Sequence, residues 1–277
     1  MASEPALSRH TISLARTGDV GVALLSDIHL GSPNFDAVRL KEDLDGALAN
    51  GDRVLINGDF FDLIMPSDRK RYQPSALHER LHGEDDLVGA VVDWGAELLG
   101  PYGDIIDLIA PGNHETAALR HHHVCLTKAL ATALKFKGSR VKVAEYAGWA
   151  VFDRGRGPRA RFHLFHWHGH GKGSGRLAGL LAELGTKGQF IEGADAVWYG
   201  HHHGLAVSRV MRVDGRQPKG RRPCWLIRTP SYLDGINYRG YAAEALLNPF
   251  PTGCVRLVLC EDGSSRVEVR YPQGDVR

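Results

Sequence analysis

Apolar residues fall along the chain in five short runs rich in β-branched residues, at 20–26, 53–57, 104–110, 161–167 and 196–199. Runs of this length with little polar alternation suit strands buried on both faces, and each predicts one. Between the first two, residues 36–50 place Val38, Leu44, Ala47 and Leu48 at helical spacing among charged positions and stop at Gly51, which predicts a helix. Further helices are predicted at 85–99, ended by Gly100 and Pro101, at 116–136, ended by Gly138, and at 175–184. Strand and helix signals alternate in a β-α-β rhythm, the mark of an α/β fold. After residue 205 the pattern changes: 223–232, 253–260 and 266–271 read as strands, the last two joined by a turn at 261–265, so an antiparallel sheet is expected to close the fold. Two stretches, 63–84 and 208–222, fit neither period and are read as long insert loops within a single domain spanning 1–277.

Composition narrows the class only a little. A chain of 277 residues with 43% hydrophobic content is an ordinary globular one, and 34 basic against 32 acidic residues leave a formal charge of +2. No overall field demands nucleic acid or a membrane, so any preference for anions must be local. Four cysteines without a CxxC pair argue against a disulfide framework and against a thiolate zinc site. The first twenty residues lack the apolar stretch of a signal peptide, and no run approaches the ~20 apolar residues of a membrane span. A cytoplasmic protein that does not enter membranes is expected.

Fifteen histidines, by contrast, change the picture. Each of the five apolar runs ends in residues of metal-binding type: Asp27 and His29; Asp59 and Asp62 after Gly58; Asn113, His114 and Glu115 after Gly112; His168 before Gly169; and His201 and His203 after Gly200. In an open α/β sheet the carboxyl ends of the strands form one crevice, so side chains just past different strands converge there. Residues two apart in extended chain project the same way, which pairs Asp27 with His29 and His201 with His203. Carboxylate, imidazole and one amide, without thiolate, suit manganese, iron or zinc.

In this order, DxH, GDxxD, GNHE, a lone His and GHxH, the set resembles the motifs of calcineurin-like metallophosphoesterases over residues 27–203. The resemblance implies a four-layer αββα sandwich of two mixed β-sheets flanked by helices. It implies two divalent metal ions, with manganese expected and iron or zinc as alternatives. Asp27, His29 and His203 would hold one ion and Asn113, His168 and His201 the other, with Asp59 bridging them at the roughly 3.5–4 Å separation of such pairs. It further implies that a metal-bridging hydroxide attacks phosphorus, that His114 stabilises the transition state or protonates the leaving oxygen, and that Asp62 and Glu115 orient ligands.

Within the family, a Tyr in place of Asp62 would mark a purple acid phosphatase and an Arg in place of His114 a lipid A pathway diphosphatase; this chain has neither. A phosphomonoester or phosphodiester substrate is expected, with a nucleotide or nucleic acid as one candidate. The alternatives are a binding module that kept the fold and lost hydrolysis, and a nucleic-acid binder with a structural metal site, for which a dominant basic face would be required.

Other histidines read differently. His168 and His170 both precede a glycine, and His168 is preferred because the apolar run stops there. His166 reads as a packed or ligand-supporting residue. The run His121, His122 and His123 lies in a predicted helix, where consecutive side chains diverge and cannot share one ion. Arg69 and Arg71, with Lys70, are candidate substrate-binding residues, as is the basic cluster Arg209, Arg212, Arg216, Lys219, Arg221 and Arg222; the competing reading of both is a solvated loop.

Overall fold

A computed structural model describes residues 7–63, 77–155, 160–171, 190–213, 221–234 and 251–269, together with 182, 185, 186 and 188. Its strands are β1 (Ser8–Ser13), β2 (Val20–Leu25), β3 (Arg53–Asn57), β4 (Ile106–Ala110), β5 (Lys142–Val143), β6 (Ala147–Asp153), β7 (Arg161–Trp167), β8 (Ala196–Tyr199), β9 (Ala206–Val213), β10 (Arg221–Arg228), β11 (Val255–Leu259) and β12 (Ser265–Val269). Its α-helices are α1 (Ala37–Ala49), α2 (Leu87–Leu99), α3 (Asn113–His122) and α4 (Leu126–Phe136).

The strands form two six-stranded mixed sheets. Sheet A runs β1-β6-β7-β8-β10-β9 and sheet B runs β12-β11-β2-β3-β4-β5. The centre of sheet B, β2-β3-β4, is parallel, as is the β7-β8-β10 set of sheet A. Strand alternation sorts the core into layers. Val22 and Leu24 of β2 and Leu55 of β3 face Phe152, Leu164 and Trp198 between the sheets. Ala23, Leu25, Val54 and Ile56 point the other way, onto the helices. Strands buried on both faces leave no polar position to alternate with, which is why these runs are continuously apolar.

The helices cover sheet B for equally local reasons. Asp36 caps α1 by accepting the Arg39 backbone N–H, and Leu40, Leu44 and Ala47 then fall on one buried stripe. Asp86 caps α2 in the same way through the Gly89 N–H, and α4 buries Leu126, Leu130 and Leu134. A fully buried leucine contributes about 1.5–3 kcal/mol, so the three of α4 hold that helix down. The outer face of sheet A carries its own cluster, including Phe165, Val197, Cys224 and Leu226. Among the described residues no helix is long and apolar enough to cross a membrane.

Three expectations change, and two others fall largely on residues outside those described. The helix expected over 116–136 is two helices, α3 and α4, because His123 takes a left-handed φ of 57° that ends α3. Strands β1, β5 and β6 were not anticipated: β1 exposes alternate residues at a sheet edge, and β5 has only two residues. The stretch 208–222 is largely a hairpin rather than an insert loop, since β9 and β10 pair antiparallel from Ala206 with Arg228 to Val213 with Arg221. In 63–84, residues 64–76 lie outside the described residues, and the remainder includes a short 3-10 helix, Glu79–Leu81. The helix expected over 175–184 lies almost wholly outside them.

Candidate metal centre

The five motifs sit where the two sheets turn their carboxyl ends to a common rim. Asp27 and His29 follow β2, Asp59 follows β3, Asn113 opens α3 just after β4, His168 follows β7, and His201 and His203 follow β8. The backbone there is strained. Asp27 (φ 54°), His29 (54°), Asp59 (47°), His201 (71°) and His203 (56°) all adopt the left-handed region, and among the described residues His123 is the only other non-glycine that does. Such conformations cost of order 1–3 kcal/mol each and persist where the surroundings over-determine them. The glycines before the motifs allow close approach as well as turning. A Cβ on Gly112 would lie 2.3 Å from the Asp59 nitrogen, and one on Gly58, itself at φ 79°, would lie 2.4 Å from His168 Nδ1.

Three groups of possible ligand atoms result: Asp27, His29 and His203; Asp59, His168 and His201; and His29, Asp62 and His114. In the first, His29 Nε2 and His203 Nε2 are 3.1 Å apart, and Asp27 Oδ1 lies 3.4 Å from His203 Nε2 and 4.0 Å from His29 Nε2. In the second, Asp59 Oδ2 is 3.0 Å from His168 Nε2, and His168 Nε2 is also 3.9 Å from Asp27 Oδ1, which links the groups. His168 Nδ1–H donates to the Asn57 carbonyl at 2.7 Å, turning Nε2 towards the carboxylates. His201 Nε2–H donates to the Gly171 carbonyl at 2.7 Å, which leaves Nδ1 as its ligand atom.

The electrostatics call for a cation. Asp27 is 0%, Asp59 1%, His29 4% and His168 0% exposed, and buried carboxylates need counter-charge. Burial favours the neutral acids, yet the neighbouring histidines together outweigh it, His168 and His203 at Asp27 and His168, His114 and His29 at Asp59, and hold both below the usual carboxylate range. Burial likewise opposes charging of His168, but Asp59 and Asp27 raise it to about 9. His29, buried and facing His203 and His114, is lowered to about 4 and is neutral, the form that binds metal. Divalent cations fit here because they replace the positive charge these carboxylates otherwise draw from a histidine proton. Asn113 Oδ1 is buried without a hydrogen-bond partner, as an oxygen reserved for a metal ion would be.

His114, Asp62 and Glu115 surround this set. His114 Nδ1 is 3.2 Å from Asp62 Oδ1, its Nε2 is 3.9 Å from Asp59 Oδ2, and its backbone N–H donates to Asp59 Oδ1 at 2.9 Å. Burial opposes its charging, but the Asp62 hydrogen bond and the Asp59 charge carry it up to about 10. Its side chain is 32% exposed, so it stands at the mouth of the site. Asp62 Oδ2 also lies 3.8 Å from His29 Nδ1, so one carboxylate faces both imidazoles. Glu115, buried in the first turn of α3, accepts the backbone N–H groups of Asp59 (3.1 Å), Phe61 (2.9 Å) and Gly112 (2.7 Å) and ties the β3 loop to the helix start.

Other residues singled out from sequence stand apart. Arg69 and Arg71 lie outside the described residues, as do Lys70, Arg216 and Lys219. Arg209 stacks on Trp225 at 4.9 Å, Arg212 donates to the Ile191 and Gly188 carbonyls, and Arg222 pairs with Asp195, so these three brace sheet A. His170 and the run 121–123 join no ligand group among the described residues. Sequence reading missed Tyr146, whose hydroxyl donates to the Gly169 carbonyl at 2.5 Å while its ring meets His168 edge-on at 5.7 Å. It missed also Ser26, Thr229 and Trp198 beside Asp27. Nothing in their spacing marks them.

The sequence matches neither a protein-family model nor a curated protein. Among solved structures, it is similar to a predicted phosphoesterase from Streptococcus pneumoniae at 14% identity, covering 92% of this chain and 99% of that one, with a TM-score of 0.34. A metallophosphoesterase from Sphaerobacter thermophilus overlaps at 15% identity, 91% and 89% coverage and a TM-score of 0.37. The calcineurin-like phosphoesterase YfkN from Bacillus subtilis overlaps at 13% identity, 94% and 92% coverage and a TM-score of 0.43.

Proposed function

We propose that this chain is a metal-dependent phosphoesterase that hydrolyses a phosphomonoester or phosphodiester. The observation that carries this reading is the meeting of two Asp/His ligand groups joined through Asp27, Asp59 and His168; Asn113, at the start of α3 next to His114, adds a buried Oδ1 without a hydrogen-bond partner. Divalent ions held there would supply Lewis-acid polarisation of the phosphoryl oxygens and would lower the pKa of a water nucleophile. Asp27, His29 and His203 are proposed to hold one ion and Asn113, His168 and His201 the other, with Asp59 between; manganese is the proposed metal, with iron or zinc as alternatives.

The protein's own groups do the rest. Asp62 holds His114 by Nδ1 and keeps it charged, and the partly exposed imidazolium, its Nε2 on the Asp59 side, gives its proton to the departing ester oxygen. Glu115 keeps Asp59 and Gly112 at hydrogen-bond distance, so the backbone cannot relax away from the metal positions. A nucleotide or nucleic acid is a proposed substrate, with Arg69 and Arg71 as proposed contacts, and the cytoplasm a proposed location.

The test is hydrolysis of bis-p-nitrophenyl phosphate and p-nitrophenyl phosphate by metal-stripped protein refilled with manganese, beside Asn113→Ala and His114→Ala. Metal-dependent turnover is expected, with kcat about 10²–10⁴-fold lower in His114→Ala at unchanged metal content, and metal content itself reduced in Asn113→Ala. The preferred compound separates diesterase from monoesterase. No turnover with manganese, iron or zinc, on these esters or on nucleotides, would sink the enzyme reading and favour a binding module.

A further inference from the structure

Asp27 is held from behind by a chain of hydroxyl groups that reaches into the core of sheet A. Ser26 Oγ–H donates to Asp27 Oδ2 at 2.5 Å, Ser26 Oγ and Thr229 Oγ1 are 2.6 Å apart, and Trp198 Nε1–H donates to Thr229 Oγ1 at 3.0 Å. All four residues are buried, none more than 1% exposed. Donor capacity and distance together point to one sense of donation along the chain. An indole N–H only donates and an ionised carboxylate only accepts. With the Ser26 proton committed to Asp27, the short Ser26–Thr229 contact needs the proton of Thr229. The competing acceptor, the Tyr199 carbonyl, lies farther off at 3.2 Å and already receives the Thr229 backbone N–H at 3.1 Å.

We infer that Trp198, Thr229 and Ser26 form a one-way donor relay that positions Asp27 for metal binding. The relay occupies Oδ2, while the His201 backbone N–H is shared between Oδ2 at 2.9 Å and Oδ1 at 3.0 Å, and Oδ1 is the oxygen that faces His203 and His29. It also fastens the two sheets together at the rim, since Ser26 follows β2 while Trp198 lies in β8 and Thr229 follows β10. A chain of donors polarised in one sense strengthens each member, and in a dry core each lost bond leaves an orphaned polar group. These three are positioning residues, acting through Asp27. The inference about metal rests on the metal-centre reading above; the hydrogen bonds themselves do not.

Two measurements on the full chain separate those dependencies. In metal-free protein, the Trp198 indole proton, assigned by its loss in Trp198→Phe, is followed by NMR hydrogen exchange. It is expected to exchange slowly in the natural chain and in Thr229→Ser, and quickly in Thr229→Val. Calorimetric titration with Mn²⁺ is then expected to show affinity about tenfold weaker in Thr229→Val and in Ser26→Ala, the range for an outer partner of a metal ligand, with Thr229→Ser restored. A rapidly exchanging indole proton in the natural chain overturns the relay. Unchanged Mn²⁺ affinity in Thr229→Val, with a slow indole proton in the natural chain, overturns its role in positioning Asp27. Failure of the natural chain to bind Mn²⁺, zinc or iron would topple the metal-centre reading instead, and the indole proton alone would then decide whether the relay exists.

Discussion

Sheet B and sheet A bring the proposed metal ligands to one rim, and they hold them differently. From sheet B, Asp27, His29 and Asp59 arrive buried, and Glu115 and the Ser26 hydroxyl brace their loops. From sheet A, His168 is just as deep, but His203, on the turn after β8, is 32% exposed. The sheet B side is thus built before any ion binds, whereas the turn carrying His201 and His203 can shift without breaking a core. Carboxylates cluster on the rigid side because buried negative charge is tolerated only where the surroundings are fixed and polar.

Replacing one ligand on each side is the strongest way to break this comparison. Asp59→Ala should lower Mn²⁺ affinity by more than the roughly 100-fold that loss of an outer partner costs, and should stop turnover, while His203→Ala is expected to lose less affinity and to keep residual turnover at high metal concentration. Equal losses in calorimetry would show that the two sides are equally built. Next in size is Glu115→Ala, which orphans the N–H groups of Asp59, Phe61 and Gly112. Urea denaturation of metal-free protein should show about 1–3 kcal/mol lost for each donor that water does not reach; an unchanged midpoint would mean that the sheet B rim owes nothing to this carboxylate.

The smallest effect concerns His166, on β7 of sheet A, 1% exposed and with neither ring nitrogen hydrogen-bonded. Burial, aided by the charge of His10, lowers it from 6.5 to about 3. Unfolded chains take up this proton below about 6.5 and the folded protein does not until about 3, so this residue draws stability down as pH falls through that window, at most about 1.4 kcal/mol per pH unit. His166→Leu should flatten that part of the acid limb in urea midpoints measured from pH 7 to pH 4. An unaltered slope would place the acid sensitivity elsewhere.

Much of the fold was legible because its signals are local. The runs at 53–57, 161–167 and 196–199 coincide with β3, β7 and β8, since continuous apolar, β-branched residues suit a strand covered on both faces. The edge elements were not legible: β1 alternates exposed and half-buried positions, and β9 reads Arg209, Met211 and Val213 outward, so neither carries the pattern of a buried strand. The basic residues of 208–222 were read as a solvated or anion-binding loop, because charge in sequence does not reveal that Arg212 caps carbonyls or that Arg222 meets Asp195.

At the site, the sequence alone determined which side chains offer metal-binding atoms, and their order behind strand ends, because donor chemistry and strand period belong to residues a few positions apart. Only the tertiary structure decided that His168, not His170, faces Asp59, that Glu115 spends its oxygens on backbone N–H groups, and that Asp27 leans on Ser26, Thr229 and Trp198. Ser26 and Thr229 are 203 positions apart in the chain. A hydrogen bond acts over about 3 Å in space, and the proximity that makes it exists only once both sheets have closed on their shared core.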